Sequence, residues 1–282
     1  MVSAPQRREA VRYLQGHYPV SARHACRLAR IADSVYYYRP CSDPQVALRV
    51  RIRDLARSRL RYGYKRIHVL LAREGIHVNK KRVHRLYCLE GLQLRPRRPR
   101  RSVSAARRQP PRVQPSAPNV AWSMDFVSDA TSHGEHFRAL TVVDVFTREC
   151  LAIQPGRQLR AEDVARVLHS LTATHGAPER IYCDNGAEFS GRTVDLWAYA
   201  NKVTLEFSRP GKPTDNAFIE SFNGSLRDEC LNAHWFSDLT DAQDKLEAWR
   251  QEYNESRPHR ALNNLSPLEF KARWTNEEPE TR

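Results

Sequence analysis

The chain has 282 residues, of which 40% are hydrophobic and 28% charged, and a formal net charge of +14. That length supports one substantial core plus a smaller domain, and no segment is apolar for long enough to span a membrane. Six cysteines at 26, 41, 88, 150, 183 and 230 show no paired Cys-x-x-Cys spacing, which argues against a zinc ribbon. Because Met1-Val-Ser-Ala-Pro-Gln-Arg-Arg8 is not followed by an apolar signal core, the expectation is a reduced, cytoplasmic protein.

The charge is unevenly spread. Residues 1–118 hold 28 Lys and Arg against 6 Asp and Glu, whereas residues 119–282 hold 18 against 26, so the halves carry +22 and −8. An Arg-rich excess of that size implies a polyanion partner, DNA or RNA by default; a solvated basic face is the bland alternative.

In chain order, residues 20–38 have helical spacing through Ala25, Leu28, Ala29 and Ala32, and Pro40 and Pro44 bracket a short linker. Three further helices are expected at about 44–59, 64–73 and 80–90, with Gly75 ending the second and Asn79 capping the third. The last two fit a helix-turn-helix type unit in which Val83, Leu86 and Tyr87 pack inward while Lys80, Lys81, Arg82, His84 and Arg85 face out toward DNA. A generic basic three-helix bundle fits the same pattern. Residues 95–118 are Pro, Arg and Ser with almost no apolar side chains, so they read as an extended basic linker. Its Arg97, Arg98, Arg100 and Arg101 suit a DNA backbone, where charge gives affinity without base readout.

From Asn119 the pattern changes. Strands are expected at 120–127, 137–146, 150–153, 180–183 and 204–208, with helices at about 161–174 and 193–202 and a turn near His133-Gly134-Glu135. Three strands followed by alternating helix and strand suit an α/β fold, an RNase H-like mixed five-stranded sheet with flanking helices, preceded by the small all-α helix-turn-helix-like domain. If the first and fourth strands are neighbours, Asp125 and Asp184 lie side by side.

Three acids stand out within this core. Asp125 lies in Trp122-Ser-Met-Asp-Phe-Val127, Asp184 in Ile181-Tyr-Cys-Asp-Asn-Gly186, and Glu220 in Asp215-Asn-Ala-Phe-Ile-Glu-Ser-Phe-Asn-Gly224. Separately buried carboxylates are costly unless paired, protonated or bound to a cation. Together they make an oxygen-rich pocket for Mg²⁺ or Mn²⁺, the equipment of two-metal phosphoryl transfer. Around Glu220, helical phase places Ile219, Phe222, Leu226 and Cys230 on one face and Asn216, Glu220, Asn223 and Arg227 on an adjacent one. The two asparagines are therefore expected to support the acid. Pro210-Gly-Lys-Pro213 reads as a constrained loop leading into that helix, with Lys212 a candidate phosphate contact. Glu188 and Asp144 are candidate helpers; His259, in a polar loop, is a weaker candidate for touching DNA.

Thirty-five residues separate Asp184 from Glu220. With Asp144, Phe146-Thr147-Arg148, the Pro210–Gly224 block, Tyr253-Asn254, Arg257-Pro258-His259 and Ser266-Pro267, this spacing resembles the DDE transposases and retroviral integrases. The nearest resemblance is to the downstream (OrfB) product of insertion-sequence-3 family transposases, and it covers roughly residues 20–270. It departs from retroviral integrases in lacking their His/His/Cys/Cys zinc module. The resemblance implies a DDE-type polynucleotidyl transferase that cleaves 3′ ends and transfers strands of a bacterial insertion sequence, with Asp125, Asp184 and Glu220 catalytic and metal-binding and two ions per site. It also implies a basic residue at Arg227, and as partners double-stranded DNA at element ends and target, further copies of the chain on paired ends, and an upstream OrfA-type product, with the chain itself in the bacterial cytoplasm, associated with the nucleoid. A nuclease of the same fold without strand transfer, and a non-catalytic DNA-binding regulator, are the alternatives. On this reading residues 1–43 are an N-terminal helical segment, 44–94 the helix-turn-helix-like domain, 95–118 the basic linker, 119–272 the catalytic core with a C-terminal helical extension, and 273–282 a tail.

Overall fold

The computed structural model describes residues 3–38, 45–94, 115–209 and 216–277. Its chain contacts divide into two compact units, Met1–Arg51 and Ile52–Arg282. Among the described residues no helix is long and apolar enough to cross a membrane.

In the first unit, α1 (Ala4–His17), α2 (Ala22–Leu28) and α3 (Asp33–Tyr36) close over Val11, Ala25 and Cys26. One expectation is corrected here. Residues 20–38 do not form one helix, because Arg30 takes a left-handed φ of 53° that ends α2 and turns the chain into α3. Residues 4–17 form a helix that the apolar pattern did not announce: only Val11 is buried, and its start is fixed by Pro5 and by the Ser3 N–H donating to the Gln6 side chain at 2.8 Å.

The helices α4 (Val46–Ser58), α5 (Tyr64–Arg73) and α6 (Lys80–Leu89) follow the expected pattern. Ile67, Leu70 and Leu71 of α5 and Val83, Leu86 and Tyr87 of α6 are buried at three- and four-residue spacing. Gly75, at φ 79°, stops α5 where a side chain would be strained. Asn79 caps α6, its side-chain oxygen accepting the Lys81 N–H at 2.8 Å. Four arginines of this region reach acids of the C-terminal helices within the same unit. Arg59 pairs with Glu252, Arg61 with Asp228 at 3.4 Å, Arg66 with Glu229 at 2.9 Å and Arg73 with Glu269 at 2.5 Å.

The sheet consists of β1 (Ala121–Ala130), β2 (His136–Asp144), β3 (Cys150–Gly156), β4 (Arg180–Cys183) and β5 (Thr204–Phe207), in the order β3-β2-β1-β4-β5. β2 runs antiparallel to both β1 and β3; β4 lies parallel to β1, and β5 parallel to β4. Alternation along the strands sorts their side chains between two cores. Trp122, Met124, Leu140, Val142 and Ile181 pack on one face with α7 (Ala161–His175) and α8 (Arg192–Ala200). Val127, Phe137, Ala139 and Val143 pack on the other with α9 (Ala217–Glu229) and α10 (Leu239–Glu255), through Ile219, Phe222, Leu226, Leu246 and Trp249. Each large side chain so buried contributes about 1.5–3 kcal/mol. The final helix, α11 (Pro267–Glu277), continues past residue 272, where a tail had been expected.

Candidate active site

Strand parity decides which face the first acid serves. Trp122 and Met124 are committed to the α7–α8 core, so Ser123, Asp125 and Val127 must face α9. The parallel ladder pairs Ala121 with Arg180, Trp122 with Ile181 and Ser123 with Tyr182. Continued two residues, that register sets Asp125 beside Asp184, just where β4 ends. The α9 helix crosses the same face with Ile219, Phe222 and Leu226 buried beneath it, which leaves Glu220 on its exposed flank.

Asp125 is half-buried, while Asp184 and Glu220 are exposed. Burial raises the Asp125 carboxyl above its ordinary 3.8, and the charges of Asp184 and Glu220 push it further; the Phe126 N–H and the Asn223 amide oppose them. The charges of Asp184 and Glu220 therefore both reach Asp125. Among the described residues, however, no three His, Cys, Asp or Glu side chains converge closely enough to form a finished cation shell.

The Glu220 flank of α9 is fastened to β1 along its length. Asn216, buried at the head of the helix, accepts the Ser123 hydroxyl and donates to the Met124 carbonyl at 3.3 Å. Asn223 donates to Asp125 Oδ2 at 2.9 Å while accepting the Thr141 hydroxyl at 3.0 Å. Arg227 donates to the Ser128 carbonyl at 3.0 Å. Three residues expected to share one face thus make three successive ties to a single strand. The supporting groups that sequence reasoning missed are Ser123 and Thr141. Thr141 stands directly across the β1–β2 ladder from Asp125, a register that the hairpin turn at Gly134 would have revealed.

Around Asp184, the Gly186 N–H donates to Oδ1 at 2.9 Å and Asn185 donates to the Ser208 carbonyl at 2.7 Å. Glu188 is drawn into an ion pair with Arg138, whose hydrogen bond holds its carboxyl below the usual range. A Cβ placed on Gly186 would stand 3.0 Å from Asp184 Oδ1 and 3.1 Å from Glu188 Oε2.

Other expectations fare differently. Lys80, Lys81, Arg82 and Arg85 occupy the exposed face of α6. Arg97, Arg98, Arg100, Arg101 and Lys212 lie outside the described residues. Asp144 is no helper: it is buried in the β2–β3 turn, where it accepts from the Asn119, Phe146 and Thr147 N–H groups and the Thr147 hydroxyl. His259 is no open loop residue either. It packs edge-on against Tyr253, and burial together with Arg257, Arg66 and Arg148 drives it down to about 3, so it is neutral. Beside it, buried Arg257 makes two 2.8 Å bonds to Glu229, whose Oε1 also accepts Arg66. No local sequence signal announces that triad.

Comparison with known proteins gives a consistent picture. Two family models described as an integrase core domain match residues 115–213 and 201–267, and an HTH-like domain model matches residues 45–100. The 31.7 kDa protein of insertion element IS407 from Burkholderia multivorans is 48% identical over 256 residues, 90% of this chain and 91% of that protein. The 39.2 kDa protein of insertion element IS476 from Xanthomonas euvesicatoria is 39% identical over 277 residues, 98% of this chain and 80% of that one. Among solved structures, a chain of the simian T-cell lymphotropic virus intasome in complex with PP2A regulatory subunit B56 gamma shares the fold at 15% identity, with a TM-score of 0.52, over 82% of this chain and 76% of that chain.

Proposed function

This chain belongs to the insertion-sequence-3 type of insertion-element transposases, with an integrase core domain, and from that premise we propose that Asp125, Asp184 and Glu220 are the residues with which it cuts and joins DNA. What supports this reading is that Asp184 stands beside Asp125 by strand register and that the charges of both Asp184 and Glu220 reach Asp125. Three carboxylates offering oxygen alone fit Mg²⁺ or Mn²⁺, and their mutual repulsion is what a cation relieves. These three side chains would hold two such ions, which when bound supply charge for activating a nucleophile and stabilising a leaving 3′ oxygen.

The remaining work falls to the protein's own groups. Asn223 and the Phe126 N–H favour the ionised form of Asp125 against burial, which suits it to a ligand's role. Asn216 and Arg227 fix the pitch of α9 over β1, and with it the reach of Glu220. Arg227 is exposed, and its guanidinium has donors beyond the one spent on Ser128, enough to steady a DNA phosphate. DNA duplex at element ends and target is held by Lys80, Lys81, Arg82 and Arg85 and by the basic stretch containing Arg97, Arg98, Arg100 and Arg101, with Lys212 contacting phosphate near the site. Several copies acting on paired ends, with an upstream OrfA-type product supplying end recognition, complete the assembly.

The test is substitution. Asp125→Asn, Asp184→Asn and Glu220→Gln are each expected to abolish Mg²⁺-dependent cleavage and joining of the element's own ends while leaving DNA binding near normal. The triple variant should be no worse than any single one. Near-normal turnover in any of the three overturns the assignment. Supplying a DNA 3′-hydroxyl against water as nucleophile separates strand transfer from simple hydrolysis.

A further inference from the structure

By helical phase, Phe218, Ser221 and Ser225 of α9 look away from Glu220, and they help to line a separate cavity of 380 Å³. Its walls also carry Arg148 from the β2–β3 turn and Arg257 and His259 from the segment after α10. Among the described residues no carboxylate lines it. Of the acids near its arginines, Glu229 already matches the charge of Arg257 and also takes Arg66, while Asp144 accepts three hydrogen bonds within its own turn and a fourth from the Asn119 N–H.

Arg148 is the unusual member. It holds a left-handed φ of 63°, and its guanidinium lies 4.0 Å from the centroid of the Phe218 ring. Among the described residues its guanidinium has neither a hydrogen bond nor an ion pair; burial lowers its affinity for its proton, opposed only by the more distant charges of Tyr253 and Asp144. A half-buried cation without a bonded counter-charge is costly, and an incoming anion reduces that cost. His259 adds a donor rather than a charge: its Nε2 faces Arg257 Nη1 at 3.3 Å, so the proton of the neutral ring sits on Nδ1. The rest of the wall is mainly apolar, with Phe218 and Phe222 at its floor.

The Arg148 guanidinium, the Ser221 hydroxyl and a neutral imidazole beside aromatic side chains match a phosphate ester that carries a flat ring, with Arg257 held by Glu229 and Ser225 as a fixed wall. The volume exceeds the needs of a bare phosphate and is far too small for a duplex. We propose that this cavity binds one nucleoside phosphate unit of a DNA strand splayed from its duplex, with the phosphate on Arg148 and the base against the apolar floor. The proposal rests on the reading of the chain as a DNA-cutting transposase but makes no use of the three acids.

The experiment is therefore done without catalysis, using the full chain carrying Glu220→Gln, in EDTA, with fluorescently labelled oligothymidylate and a fully paired duplex as probes. Arg148→Asn removes the charge while keeping a residue that tolerates left-handed φ. It is expected to weaken single-strand binding by about tenfold and to lower the salt slope by about one, with duplex binding unchanged. Arg148→Lys should restore part of the loss. Ser221→Asp, at an exposed position where folding is not at stake, should repel the strand as Arg148→Asn does, while Ser221→Asn should not. Unchanged single-strand affinity in both Arg148→Asn and Ser221→Asp overturns the proposal, and so does an equal loss on paired duplex, which would make Arg148 an ordinary backbone contact. Thymidine 5′-monophosphate that binds through Arg148 and is not displaced by the strand would assign the cavity to a free nucleotide instead. A failure of the triad assignment would appear as normal turnover in Glu220→Gln, which this binding measurement does not read.

Discussion

Replacing Arg257 with alanine tests whether α9 is held from behind as firmly as it is tied in front. The Arg257 and Glu229 side chains are only 5% and 8% exposed, and they share two hydrogen bonds of 2.8 Å, with a third from Arg257 to Ser225 at 3.1 Å. Burial pulls the Arg257 guanidinium down, yet Glu229 holds it above its ordinary value. Removing one member of a buried pair costs about 3–5 kcal/mol, chiefly by stranding the other. Arg66 still reaches Glu229 at 2.9 Å after the change, so Arg257→Ala should fall near the lower end, about 3 kcal/mol. Glu229→Gln strands two guanidiniums against an amide and should fall near the upper end, about 5 kcal/mol. In Arg257→Met with Glu229→Met only Arg66 is left without its acid, so the double variant should be more stable than the sum of Arg257→Met and Glu229→Met measured singly by about 1–3 kcal/mol. Equilibrium urea unfolding followed by tryptophan fluorescence measures each of these variants. A loss under about 1 kcal/mol in Arg257→Ala, or strict additivity in the double variant, refutes the argument.

The Asp125 carboxyl titrates above its unfolded value of 3.8, so its charge costs stability above the folded pKa and costs nothing below the unfolded one. Asp125→Asn should accordingly raise Tm at neutral pH in EDTA, by an amount that shrinks as pH falls through that window, and Mg²⁺ should raise the Tm of the parent more than that of the variant. Asn223→Ala deletes a hydrogen bond that favours the ionised acid; the acid limb of the pH–rate profile should move to higher pH, and an unmoved limb would deny Asn223 that role. Arg227→Ala should depress strand joining by about tenfold or more, with Arg227→Lys recovering part of it, as measured by single-turnover joining of labelled ends.

Much of this architecture was legible because it depends on local rules. Short β-like runs in 120–127 and 137–146 marked the central strands, and the stripe Ile219, Phe222, Leu226 placed Glu220 on the flank where it is found. Asn79 and Gly75 announced their helix ends through capping and left-handed geometry. The helix α10 was legible but not singled out: Ala242, Leu246, Trp249 and Tyr253 recur at helical spacing. What remained hidden depends on contacts distant in sequence. Asn254 satisfies both backbone groups of Cys150 across 104 residues, and Glu229 collects Arg66 and Arg257 from either side. The charge asymmetry was visible, but part of its meaning was not, since Arg59, Arg61, Arg66 and Arg73 spend their charge on acids of the second half rather than holding it all for DNA.

Gly186 illustrates a glycine kept for what it leaves out. Its φ is not in the left-handed region, so backbone freedom does not explain it. An alanine methyl there would crowd two carboxylates at once, and neither can easily give way: Asp184 is tethered by the Gly186 amide and Glu188 by Arg138. The missing methyl acts as a spacer of nothing, which lets an acid neutralised by arginine and an acid left open to solvent share one tight bend. Any side chain at this position would have to trade one of those two states for the other.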